Sequence, residues 1–190
     1  MKNKILIVTG DGGESYEVLY ASHRLREAGY TPAIAAPSKR RLHLVMHDFE
    51  PGWDTYIERA GYGAEADLSF DDVTVDQFDA VMVLGGRAPE YLRNDKRVIA
   101  IVREFHDRGK WVFAICHGIQ ILISAGLANG TCMTAYEHLR FEIESNGGTY
   151  STNQAVQDGG IVTAQTWMSH PEFYREVFAC LGAPALAARG

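Results

Sequence analysis

The chain has little of what would mark a secreted, membrane or nucleic-acid-binding protein. Its 190 residues hold only three cysteines, Cys116, Cys132 and Cys180, with no C-x-x-C pair. An odd, scattered set excludes a disulfide framework and implies free thiols in a reducing compartment, one of which is a candidate for reactivity. Positive charge is in deficit, with 18 Lys+Arg against 24 Asp+Glu and a net charge of −6. Such a surface repels a polyphosphate backbone, so no nucleic-acid partner is expected. No stretch approaches the ~18 consecutive apolar residues of a membrane span. The apolar run Ile5–Val8 is too short for a signal-peptide core and no small-residue cleavage site follows it, so a cytoplasmic protein is expected. What remains is a chain with 46% hydrophobic and 22% charged residues, the size and composition of one compact domain over residues 1–190. A domain of this length buries roughly 70% of its unfolded surface and needs no structural metal.

The hydrophobic pattern alternates between two periods. Ile5–Val8 is a continuous, mostly β-branched run that predicts a strand buried on both faces of a parallel sheet. Val18, Ser22, Leu25 and Ala28, closed by Gly29, predict a helix starting near Glu14, and Thr31 to Ala36 predicts the next strand. The pattern returns with a strand at Phe78 to Leu84 ending in Gly85-Gly86. Next comes a helix capped by Asn94 or Asp95, with Val98, Ile101, Val102 and Phe105 on one face, and then a strand at Trp111 to Ile115. An apolar helix follows at Ile119 to Ala125, with weaker strands at Thr131 to Ala135 and Gly160 to Thr163 and a terminal helix at Pro171 to Leu181. This alternation predicts an α/β fold with a parallel sheet covered on both faces. Residues 38–77 break the rhythm, are too long for an ordinary connection, and are expected to form an insertion with short strands of its own.

Ala114-Ile115-Cys116-His117-Gly118 sits between a predicted buried strand and a predicted helix. Small residues two positions either side of Cys116 are what a sharp strand-to-helix turn requires, as in a nucleophile elbow. A thiol there would point out at the carboxyl edge of the sheet, where the helix N-terminus lowers a cysteine pKa and favours thiolate. The competing reading is an inert cysteine in an apolar stretch. His117 is adjacent, but neighbours at such a turn project differently, so an orienting or proton-shuttling role suits it better than direct abstraction from Cys116. Glu14 falls at the same sheet edge as Cys116, where it is either a carboxyl held protonated beside the sulfur or simply a first-turn glutamate favoured by the helix dipole. Gly85 and Gly86 allow backbone N–H groups to approach an oxyanion, or merely form a tight turn. Arg87 and Glu90 follow on a segment facing solvent or a partner. Two other motifs fail. Gly10–Ser15 starts like a dinucleotide fingerprint but has Ser15 for the last glycine and carries Asp11 and Glu14, so no nucleotide cofactor is expected. His43 and His47 with Asp48 could share a helix face, but no H-E-x-x-H pattern is present and no metal is expected. Cys132 and Cys180 read as core residues.

Glu14, the segment Gly85-Gly86-Arg87-Ala88-Pro89-Glu90-Tyr91-Leu92 and the run from Ala114 to Gly118 together resemble the ThiJ/PfpI superfamily, over nearly the whole chain from Lys4 to about Leu181. That superfamily includes intracellular proteases, deglycases and glutathione-independent glyoxalases. The resemblance implies a flavodoxin-like, class I glutamine amidotransferase-like sheet sandwiched by helices, with Cys116 as nucleophile, His117 as its neighbouring histidine and Glu14 as its protonated acidic partner. It further implies oxyanion donors on Gly86 and His117, and a homodimer or higher homo-oligomer in which Glu90 reaches across the interface towards the histidine. Met46-His47-Asp48-Phe49, Thr55-Tyr56 and Ser169-His170-Pro171-Glu172-Phe173 look like plant glyoxalase/deglycase members, which would put His170 near the pocket. Asp11-Gly12-Gly13 is richer in glycine than the family's usual run, and Trp167-Met168 would narrow or cap the pocket. The function expected is a cofactor-independent cysteine enzyme acting on small reactive carbonyls such as methylglyoxal, or a deglycase. Rivals are a peptidase or amidase using the same thiolate, an isocyanide hydratase (a branch with aspartate where Glu14 stands), and a redox sensor read through oxidation of Cys116.

Overall fold

The structure is a computed structural model and describes residues 3–182. The expected alternation gives a seven-stranded sheet that is parallel except at one edge. Its strands are β1 (Lys4–Val8), β2 (Thr31–Ala36), β5 (Leu68–Ser69), β6 (Ala80–Val83), β7 (Trp111–Ile115), β10 (Ala155–Asp158) and β11 (Ile161–Ala164), in the order β10-β11-β7-β6-β1-β2-β5. Only β10, which pairs with β11, is antiparallel. In β1, β6 and β7 almost every side chain is buried, as continuous apolar runs require in a sheet covered on both faces. The flanking helices include α1 (Ser15–Glu27), α3 (Lys96–Asp107) and α6 (His170–Gly182), with α2 (Ala88–Leu92), α4 (Ile119–Ser124) and α5 (Arg140–Ser145) as shorter pieces. None of the described helices is long and apolar enough to cross a membrane.

The insertion folds as an antiparallel hairpin outside the main sheet, β3 (Arg41–Asp48) against β4 (Ile57–Glu65). His43 and His47 therefore lie on a strand and not on a helix; His43 is exposed and His47 buried. The hairpin is laced to the loop after β1: Val45 N–H donates to Gly13 O at 2.9 Å, Gly12 N–H to His43 O at 2.8 Å, and His43 N–H to Asp11 Oδ1 at 2.8 Å. Residues 49–56, at the hairpin's turn, are carried by this anchoring towards the carboxyl edge of the sheet. The remaining pieces, β8 (Cys132–Met133) paired with β9 (Thr149–Tyr150), have two residues each and leave almost no period in the sequence.

Gly118 marks where the elbow is pressed against the sheet. A Cβ added there would lie 2.4 Å from Val83 O and 3.0 Å from Val83 C, both backbone atoms of β6. Gly29, which ends α1 at φ +86°, has open space around it. Gly118→Ala is accordingly expected to cost about 2–3 kcal/mol through overpacking, and Gly29→Ala about 1 kcal/mol through its left-handed backbone alone. Urea unfolding of the two variants should show this ordering, and equal losses would contradict it.

Candidate active site at the carboxyl edge of the sheet

Cys116 occupies the turn between β7 and α4 with φ +57°, a left-handed conformation rarely taken by a residue with a Cβ. The turn closes because Gly85 leaves room: a Cβ on Gly85 would meet Cys116 Cβ at 2.6 Å, a Glu17 carboxyl oxygen at 2.9 Å and His117 N at 3.0 Å. Gly86, at φ +76°, is packed as tightly against the loop before α1, with Gly12 O at 2.5 Å and Glu14 N at 2.4 Å of where its Cβ would be. Cys116 is 2% exposed. Its sulfur receives the backbone N–H groups of Gly86 and His117.

The acidic side chain beside the sulfur is Glu17, and this corrects the expectation for Glu14. Glu17 is fully buried, accepts from Gly85 N–H at 2.6 Å through Oε2, and interacts with the Cys116 thiol. Its Oε1 has no hydrogen-bond partner of its own. Glu14, one helical turn earlier, is the N-cap of α1: Oε1 accepts from Tyr16 N–H at 3.0 Å and Oε2 from His47 N–H at 2.9 Å, with His47 Nδ1 at 2.8 Å. A clue was present in the sequence, because Glu17, Ala21 and Leu25 recur every four residues on the buried stripe of α1. A charged residue on that stripe is costly unless it has a task.

His117 comes closer to Cys116 than neighbouring residues at a turn usually do. Its Nδ1 lies 3.4 Å from Sγ, and its Nε2 lies 3.5 Å from Tyr56 Oη. Burial, with His47 and Arg93 adding positive charge nearby, lowers its pKa to about 4 and keeps the ring neutral. Above these groups the 49–56 segment, Tyr136 and Trp167 form an aromatic cover. Trp167 stacks on Phe49 at 5.3 Å between ring centroids and lies 6.3 Å from His47; Tyr56 meets Tyr136 at 5.3 Å, and Thr55 Oγ1 is 3.0 Å from Tyr136 Oη. A cavity of about 570 Å³ opens between the start of α1, the β3–β4 hairpin and Trp167, lined by Glu14, Tyr16, Met46, His47 and Tyr62 among others.

The model of the DJ-1/PfpI family matches residues 3–179. The chain belongs to the DJ-1/PfpI family. It is 38% identical to protein DJ-1 homolog D of Arabidopsis thaliana, over 94% of this chain but 48% of that protein, so it spans about half of that relative's length. It is 36% identical to a deglycase of Thermococcus kodakarensis, over 85% of this chain and 89% of the relative. It is 32% identical to protein/nucleic acid deglycase 2 of Escherichia coli, over 96% of this chain and all of the relative. Among solved structures, Drosophila melanogaster DJ-1beta superposes with a TM-score of 0.77 at 23% identity, covering 93% of this chain and 89% of that one. A DJ-1/ThiJ/PfpI-like and ferritin-like two-domain protein of Anabaena variabilis gives 0.84 at 24% identity, over 94% and 48%. These structures support the fold.

Other expectations for this DJ-1/PfpI chain are redrawn by the geometry. His170 is buried and stacks on Tyr20 at 4.5 Å, meeting Tyr174 and Tyr16 edge-on between α1 and α6; Tyr16 also lines the cavity, so His170 stands behind the cavity wall. Arg87 binds Glu58 through Nε at 3.0 Å and is half exposed, aimed at β4 and away from the thiol. Glu90 is exposed on the first turn of α2, where its charge is felt by Tyr56 within the same chain. Of the other cysteines, Cys180 is buried and Cys132 only partly so. Among the described residues no group of three or more His, Cys, Asp and Glu is arranged to hold a metal ion.

The electrostatics also overturn the expected low thiol pKa. Burial pushes the Cys116 thiol well up and the Glu17 charge pushes it further, which outweighs the N–H groups of His117 and Gly86. Glu17 is raised to about 8, by burial first and by the neighbouring Glu14 charge second. The folded chain thus keeps a proton on Glu17 that an unfolded chain releases near 4.5. This group's contribution to stability is therefore greatest below pH 4.5 and declines as the pH rises to 8. Glu17→Gln removes the decline: its unfolding free energy relative to the parent should rise by about 1–3 kcal/mol between pH 5 and pH 8.5. A difference that stays flat across that range in denaturant titrations would refute the assignment.

Proposed function

We propose that the chain is a cofactor-independent cysteine enzyme acting on small α-oxoaldehydes such as methylglyoxal, converting them to hydroxy acids. What carries this reading is one buried sulfur with a proton acceptor, a proton donor and two N–H groups in contact with it: neutral His117, protonated Glu17, and the amides of Gly86 and His117. The sulfur forms a bond to the aldehyde carbon as its proton passes to His117 Nδ1. The carbonyl electron pair moves to an oxygen held by the two amides, which then takes the Glu17 proton, giving a hemithioacetal. Glu17, now a carboxylate, removes the hydrogen on the same carbon. The electron pair shifts to form an enediol whose second oxygen is protonated at the expense of the proton held on His117. Return of the Glu17 proton to the adjacent carbon, with loss of the first hydroxyl proton to His117, gives a thioester. Water then releases the hydroxy acid, His117 reprotonates the departing sulfur, and the proton shed by the acid restores Glu17.

The names of relatives at 32–37% identity support a deglycase-like version of the same chemistry, in which the thiol reverses a carbonyl adduct on another molecule. The aromatic cover over Cys116 favours free, short carbonyls. A peptide would have to pass Tyr56 and Tyr136, which pack on His117 beside the sulfur.

Methylglyoxal should yield lactate without glutathione, and Cys116→Ala should lose at least about 10³-fold in kcat/KM. Normal turnover in that variant would sink the mechanism. The parent's kcat/KM should fall above pH 8, where Glu17 loses its proton, and below pH 4, where His117 gains one.

A further inference from the structure

The reaction proposed above places charge on two oxygens in turn; the second draws its proton from His117, but no group has yet been assigned to deliver it. The amides of Gly86 and His117 converge on the sulfur, and in the proposed reaction they hold the oxygen of the carbon it attacks. The second oxygen, on the neighbouring carbon, becomes an enediolate and needs a donor of its own. Two phenols overlook the thiol. Tyr136 is already engaged, its hydroxyl 3.0 Å from Thr55 Oγ1. Tyr56 has only a long contact, 3.5 Å to His117 Nε2, so its hydroxyl can leave that partner for a substrate oxygen at little cost.

We propose that Tyr56 is the acid for the second carbonyl oxygen, donating its proton there as the enediol forms and recovering it from His117. It makes the site selective for 1,2-dicarbonyls over simple aldehydes. The proposal rests on the α-oxoaldehyde reading. The proton balance closes: the thiol proton reaches His117 Nδ1 on attack, His117 then carries a proton on both ring nitrogens, and the one on Nε2 faces Tyr56. Donation by Tyr56 to the enediolate and reprotonation from Nε2–H restore Tyr56 and leave His117 neutral with its proton on Nδ1; the first hydroxyl's proton then refills Nε2, and Nδ1–H passes to the departing sulfur, which restores the original ring. The phenol's setting suits a donor. Burial foremost, and then the fields of Cys116, Glu90, Tyr136 and Glu58, raise its pKa to about 12, so it stays protonated throughout the working range. Its ring is held by His47 at 4.5 Å and by Tyr136 at 5.3 Å, while Thr55 fixes the backbone one residue earlier. A simple aldehyde has no second oxygen for Tyr56 to meet and stops at the hemithioacetal.

Tyr56→Phe keeps the ring and its packing and removes only the hydroxyl. With methylglyoxal, kcat should fall about 10²-fold with KM changed less than about 3-fold, while alkylation of Cys116 by iodoacetamide proceeds at the parent's rate. The kinetic isotope effect from deuterium on the aldehyde carbon should grow, because proton removal without the donor becomes the slow step. Replacement of Tyr56 by 3-fluorotyrosine should restore turnover at neutral pH. If the parent forms lactate and Tyr56→Phe matches it, or if turnover and alkylation fall together, the role of Tyr56 is overturned and the α-oxoaldehyde reading stands. If the parent itself forms no lactate, the reading falls and takes this inference with it.

Discussion

The structure depends on keeping one non-glycine residue in a backbone conformation it would not choose. A residue with φ +57° stores roughly 1–2 kcal/mol of strain, and Cys116 is held there because three glycines around it let backbones meet. Gly118 lies flat on β6, Gly85 sits under the cysteine Cβ, and Gly86 turns into the loop that precedes α1. Each contact brings a chemical group along. Gly86 and His117 deliver N–H groups to the sulfur, and the position of Gly85 fixes the Glu17 carboxyl through a 2.6 Å bond. The geometry of the elbow and the composition of the site are thus set by the same close contacts.

Burial governs the protonation states that follow. The helix N-terminus would favour a thiolate, but a sulfur 2% exposed beside a second acid is dominated by desolvation. Cys116, Glu17 and His117 form a cluster in which all three are held in their neutral forms near pH 7. A cluster like this exchanges a proton with a bound molecule without calling on bulk water, which suits carbonyl addition better than permanent charge would.

The strands and longer helices were legible because their periods are long enough to count. β2 and β7 have the bounds their apolar runs predict, and Asp95 caps α3 by accepting from Arg97 N–H at 2.9 Å. The elbow was legible too, since small residues flank Cys116. Two-residue strands and the five-residue α2 left no period to read. The site was harder because a carboxylate's neighbour is a matter of which helix face it occupies: Glu14 and Glu17 are one turn apart, and only the second lies on the buried stripe with Ala21 and Leu25. The thiol's state was misjudged because a local dipole argument is blind to burial. For His170, His-Pro-Glu at the start of α6 reveals where the helix begins and not that its imidazole stacks on Tyr20.

The β3–β4 hairpin shares no strand pairing with the seven-stranded sheet and is fastened to it by the loop after β1 and by the row Glu14, His47, Glu58 and Arg87. Nucleophile and cover therefore belong to separately built parts. Within residues 49–56 the link to the elbow is Tyr56, whose hydroxyl lies 3.5 Å from His117 Nε2. The groups on the sulfur come from the scaffold and the rim comes from a surface turn, so a changed sequence at residues 49–55 alters the rim while the contacts of Cys116 with Glu17, Gly86 and His117 stay in place.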